Sequence, residues 1–139
     1  MIKNKYQVSL TVVGAEKNAM NNIDQHNVKV IQTETTKRKL IDLYDNHNVF
    51  ILPSFTEGHP MALLEALARK RPVIIFEDIK HVVGEKRGIF VSKRTFEELS
   101  YNINYIINNY KKIQTEMEKN VLPTKKDFLK DLINLLNDG

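Results

Sequence analysis

Two acids, and the small residues between them, carry the chemistry open to this sequence. The stretch "LPSFTEGHPMALLEALA", residues 52–68, holds Glu57 in a short polar loop and Glu65 inside an apolar run, with seven residues between them. Gly58 lets the backbone approach a ligand closely, and Pro60 fixes a helix entry where its missing N–H costs nothing. A loop that feeds a helix N-terminus offers free amides and the positive end of the helix dipole, which favour anionic or hydroxylated ligands. Glu65 has Ala62, Leu63, Leu64, Ala66 and Leu67 as neighbours, so a buried carboxylate there needs partners. Two adjacent sugar hydroxyls, each donating to one carboxylate oxygen, would satisfy it. So would a place on a solvent stripe, or an ion pair with Arg69 at i+4. Glu57 taken alone is an ordinary loop acid.

The elements around these residues must position them. "YQVSLTVVG" (6–14) predicts a strand that turns at Gly14, and "NVKVI" (27–31) a second, with a short polar helix over 15–26 between them. Leu40, Leu43 and Tyr44 share a helical face over 36–47, with Thr36 as a cap. "VFIL" (49–52) is apolar throughout, as in a parallel strand buried on both faces. A helix over 60–70, strands over 72–76 and 88–91, and a helix over 95–110 with the capping box Thr95–Glu98 follow. Residues 111–124 read as a connecting segment. A final amphipathic helix over 125–138 carries Phe128, Leu132, Leu135 and Leu136 on one stripe. Strands alternate with helices throughout, which predicts an α/β layer structure with a parallel sheet and right-handed crossovers, and a single domain. Ligands bind such sheets beyond the carboxyl ends of the strands, and the loop 53–59 leaves such an end.

Composition narrows the function classes. A chain of 139 residues, 42% hydrophobic, can build one core. There is no cysteine, hence no disulfide framework and no thiolate metal site. His26, His47, His59 and His81 lack metal-ligand spacing, so no protein-held metal is expected. No apolar run approaches the roughly 18 residues of a membrane span, and "MIKNKYQVSL" lacks the apolar core of a secretory signal. The net charge of +4 comes with scattered basic clusters such as "TKRK" (36–39), which fit a solvated surface or phosphate contacts. Basic and aromatic residues do not interleave as in a nucleic-acid groove, and no Walker loop, G-x-G-x-x-G or G-x-S-x-G is present.

The ordered set Pro53-Ser54, Glu57-Gly58-His59-Pro60, Glu65-Ala66-Leu67-Ala68 and Pro72-Val73 strongly resembles the nucleotide-sugar site of retaining GT-B glycosyltransferases of family 4, the glycosyl transferases group 1. "LTVVG", "LIDLYDNHNVFILPS" and "GIFV" resemble its flanking elements, so the likeness covers residues 6 to 110. It implies half of a GT-B fold, a three-layer Rossmann-like domain with a mainly parallel sheet of about five strands. It implies a donor-binding domain of a hexosyltransferase-type enzyme that moves a sugar from a nucleoside-diphosphate sugar to a glycan or lipid-linked acceptor in polysaccharide or lipopolysaccharide biosynthesis.

By that resemblance Glu57 is the catalytic residue, lying by the donor sugar and bonding its hydroxyls. Gly58, His59, Pro60 and Met61 line the sugar or diphosphate, Glu65 holds the ribose hydroxyls, and Val30, Ile31 and Gln32 lie near the base. The donor is a substrate; no cofactor or metal is implied. The likeness further implies a cytoplasmic location, peripheral membrane association of the whole enzyme and no nucleic-acid partner. It also implies that the first strand and the acceptor domain lie outside these residues, so that the isolated chain lacks transfer activity and takes an amino-terminal transferase half as partner. Lys70-Arg71 stand where the family usually has a glycine, His59 replaces an aromatic residue, and Gln32 replaces a common glycine. Lys80-His81 stand where an acid is frequent. These departures fit an alternative, a non-catalytic nucleotide-binding or protein-interaction module.

Overall fold

The computed structural model describes residues 8–14, 27–33 and 36–137. The helix expected over 15–26 and the start of the first strand lie outside the described residues. The chain divides into two compact units, residues 1–43 and 44–139. In the first, β1 (Leu10–Val13) and β2 (Val28–Ile31) pair in parallel, Leu10 opposite Val28 and Val13 opposite Ile31. Asn27 enters β2 with φ of 71°, a left-handed position that Asn tolerates better than most residues. Helix α1 (Lys37–Asp45) follows and gives its last two residues, Tyr44 and Asp45, to the second unit.

The second unit holds three parallel strands in the order β3-β4-β5: Phe50–Leu52, Val73–Phe76 and Ile89–Ser92. β4 lies between the other two and is buried at all four positions, which is why "VIIF" shows no polar alternation. Helix α2 (Met61–Ala68) packs on β3 and β4 through Leu63, Leu64, Ala66 and Leu67. A fully buried leucine contributes roughly 1.5–3 kcal/mol, so these side chains fix the helix. Helix α3 (Phe96–Asn108) packs on β5, capped by Thr95, whose side chain accepts the Glu98 amide at 3.3 Å. Ile79 and Ile106 complete the core.

The five described strands are all parallel, as expected, a pair in the first unit and a triple in the second. Two expectations change. The helix expected over 95–110 ends at Asn108, and the segment expected to be a connection begins with another helix, α4 (Tyr110–Met117). Ile113 and Met117 are buried one turn apart and half-buried Tyr110 packs beside them, so α4 is held although its outer face is polar. Helix α5 (Lys125–Asn137) forms where the last amphipathic helix is predicted. The side chains of its expected stripe, Phe128, Leu132, Leu135 and Leu136, lie outside the described residues. No helix among the described residues is long and apolar enough to cross a membrane.

Candidate functional site

Because β3, β4 and β5 are parallel, their carboxyl ends share one edge. Three segments emerge there: the loop 53–59 after β3, a 3-10 turn (Glu77–Val82) after β4, and Lys93-Arg94 after β5. Glu57 sits in the first of these, half-buried. Ser54 Oγ donates to Glu57 Oε1 at 2.6 Å, and His81 Nε2 lies 2.8 Å from the Glu57 carbonyl oxygen, bracing the loop from the 3-10 turn. Arg94 reaches back from beyond β5, its NH2 group donating to the carbonyls of Pro53 (3.2 Å) and Ser54 (2.9 Å).

Pro60 occupies the N-cap position of α2 with φ of −74°, one residue ahead of the first turn, and no side chain caps the helix there. Gly58 and His59 precede it, exposed, and Met61 opens the helix. Glu65 follows Met61 by one turn, and Met61, Glu65 and Ala68 make the exposed stripe of α2. The carboxylate therefore does not lie in an apolar setting, because the leucines around it in sequence point to the other face. Its partner is not Arg69 but Tyr44, whose hydroxyl donates to Glu65 Oε2 at 3.0 Å and sits 3.3 Å from the Ala62 carbonyl. Burial, and then the hydrogen bond to Glu65, push the Tyr44 hydroxyl above its ordinary pKa, so it remains a donor. One bond at Oε2 leaves further lone pairs on both oxygens for other donors.

The departures at Lys70 and Arg71 have a local cause. Lys70 follows the α2 C-cap Arg69 with φ of 54°. The Arg71 amide returns to the Ala66 carbonyl (2.9 Å) and the Lys70 amide to that of Leu67 (2.9 Å). This pair of bonds is a Schellman motif, whose left-handed residue is ordinarily glycine. Arg71 Nε donates to the Tyr44 carbonyl (2.8 Å) and NH1 to the Tyr110 hydroxyl (3.2 Å). Arg69 pairs with Asp45. These cations terminate α2 and tie it to the residues beside Tyr44.

Sequence reasoning placed Glu57, Gly58, His59, Pro60, Met61 and Glu65 on one loop and helix, and the structure brings them together at the strand ends. Val30 and Ile31 end β2 and Gln32 follows it, in the first unit. A cleft of ≈ 560 Å³ opens beside the loop, with Gly58, His59 and Pro60 on one wall and Lys86, Lys119 and Asn120 among the others. Glu57 and Glu65 do not line it. The supports missed from sequence are Tyr44, Ser54, His81 and Arg94. Ser54 alone had a local signal, a hydroxyl three residues before an acid. No group of His, Asp or Glu among the described residues could hold a metal.

An acid-bearing loop at the carboxyl edge of a parallel sheet, entering a helix with a second acid on its open face, defines an α/β module of the Rossmann-like class. The chain belongs to the glycosyl transferases group 1 family, whose model matches residues 1–109. An uncharacterized glycosyltransferase of Haemophilus influenzae is 31% identical over 70 residues, 48% of this chain and 20% of that protein. The capsular polysaccharide biosynthesis glycosyltransferase CapM of Staphylococcus aureus is 29% identical over 119 residues, 78% of this chain and 31% of that protein. The N,N'-diacetylbacillosaminyl-diphospho-undecaprenol alpha-1,3-N-acetylgalactosaminyltransferase of Campylobacter jejuni is 22% identical over 97 residues, 68% of this chain and 26% of that protein. The chain thus spans between 20% and 31% of the length of these relatives. No solved structure matches it significantly.

Proposed function

We propose that this chain is the donor-binding part of a glycosyltransferase that moves a sugar from a nucleoside-diphosphate sugar to a glycan or lipid-linked acceptor, in polysaccharide-type biosynthesis. The observation that carries the reading is the pair Glu57 and Glu65, set on one loop and helix at the strand ends, in a member of the group 1 family. Two relatives named for capsular polysaccharide and diphospho-undecaprenol-linked transfer support the acceptor class. In this reading Glu57 bonds the hydroxyls of the donor sugar. Residues 58–61 lie along the sugar or diphosphate, and Glu65 takes the ribose hydroxyls on the lone pairs that Tyr44 leaves open. Catalysis then rests on positioning and on stabilising the departing diphosphate.

The exposed stripe and the Tyr44 bond favour a second reading, in which Glu65 is a structural residue of a non-catalytic protein-interaction module that binds no nucleotide. Calorimetric titration of the chain with UDP and GDP, against single-stranded RNA as control, separates the two. The donor reading expects saturable binding of one nucleotide and none of RNA. Absence of binding by either nucleotide leaves the non-catalytic module.

A further inference from the structure

We propose that Arg94 is the positioning residue of the loop that carries Glu57, acting through Ser54; the part of this that concerns sugar binding rests on the donor reading above. Arg94 lies two residues beyond β5, 40 positions from Ser54 in sequence. Its guanidinium meets the loop on several sides at once. NH2 donates to the Pro53 and Ser54 carbonyls at 3.2 and 2.9 Å. Nε donates to Asp78 Oδ2 at 3.0 Å, on the 3-10 turn after β4. The ring centroids of Phe55 and Phe76 lie 3.8 and 4.3 Å from its central carbon. One side chain thereby joins the segments leaving all three strands.

The relay to Glu57 is short. Arg94 holds the backbone of Ser54, and the Ser54 hydroxyl donates to Glu57 Oε1 at 2.6 Å. Holding the Ser54 backbone sets where its Cβ stands, and the hydroxyl bond made from there orients the Glu57 carboxylate. Phe55 supports the assignment: it is 72% exposed, so it adds little to the core, and its ring stacks under the guanidinium. A lysine could supply the charge but not the planar fork that serves two carbonyls and a carboxylate while stacking on aromatic faces.

The test uses the full chain as Arg94→Ala and Arg94→Lys. Backbone order parameters of residues 54–58 come from 15N relaxation, and affinities from UDP, UDP-glucose, GDP and GDP-mannose. In the wild type the loop should be rigid, near about 0.85, and in R94A fall below about 0.6, while α3 is unchanged. Sugar-nucleotide affinity should fall on the order of tenfold in R94A, and the bare nucleotide much less. R94K should recover little of either, whereas ethylguanidinium added to R94A should restore both. A loop as rigid in R94A as in the wild type, or full recovery in R94K, overturns the assignment. A loosened R94A loop with no sugar nucleotide bound even by the wild type overturns the donor reading and upholds Arg94 as the loop anchor.

Discussion

Replacing Lys70 by glycine and by alanine should reverse the usual order of these residues near a helix. Inside a helix glycine is worse than alanine by about 1 kcal/mol. Lys70, at φ of 54°, closes the Schellman turn of α2. There a Cβ costs about 1–2 kcal/mol, against about 0.4–1 kcal/mol of extra chain entropy that glycine loses on folding. The difference leaves K70G more stable than K70A by about 0.5–1 kcal/mol, or roughly 2–4 °C in Tm for a chain of this size. Both variants lose the Lys70–Glu118 ion pair, so it cancels in the comparison. Urea melts of the two variants measure the gap, and a K70A protein as stable as K70G would refute the backbone argument. Nucleotide affinity should be equal in K70G and wild type, because the departure from the family's glycine lies at a helix end and not at the ligand.

Glu57→Ala should weaken a sugar nucleotide more than the bare nucleoside diphosphate in calorimetric titration, since the proposed role puts Glu57 at the sugar; equal losses remove that role. Gly88→Ala should destabilise the second unit by about 2–4 kcal/mol in urea melts, from a positive φ and overpacking. Gly88 has φ of 85°, and an added Cβ would stand 2.5 Å from Met117 Cγ and Sδ. Acid should weaken the Asp45 tie. The hydrogen bond from Arg69 holds the Asp45 carboxyl below its ordinary 3.8, so its contribution is present above that pH and is lost as pH falls through the depressed folded value. Asp45→Asn should flatten that part of the stability-pH curve.

The fold was legible where one segment decides its own state. "VIIF" and "VFIL" read as buried parallel strands because a strand covered on both faces must be apolar on both. Thr95 read as a cap because its bond to Glu98 spans three residues. Strand order was not legible: hydrophobic pattern tells which face is buried, not which neighbour takes the hydrogen bonds. Helix α4 was missed because its inward residues, Tyr110, Ile113 and Met117, are few and set among lysines, glutamine and glutamate. The two acids of the site were legible from their spacing, but their settings were not. Glu65 was open between a buried setting and a solvent stripe; the structure puts it on the stripe, with the leucines adjacent in sequence on the opposite face of α2. Tyr44, His81 and Arg94 lie 21, 24 and 40 positions from the groups they hold, and no local pattern carries information at that distance.

The most direct test of the donor-site reading is the affinity of Glu65→Gln for the nucleoside diphosphate that the wild type binds, measured beside its melting curve. Loss of hydrogen bonds from ribose hydroxyls to a charged carboxylate should cost about 1–3 kcal/mol, roughly 5- to 150-fold in Kd. Stability without ligand should change little, because Glu65 is exposed and an amide oxygen can still accept from the Tyr44 hydroxyl. An E65Q protein that binds the nucleotide as tightly as the wild type, while melting well below it, would contradict the account and make Glu65 a structural partner of Tyr44 alone.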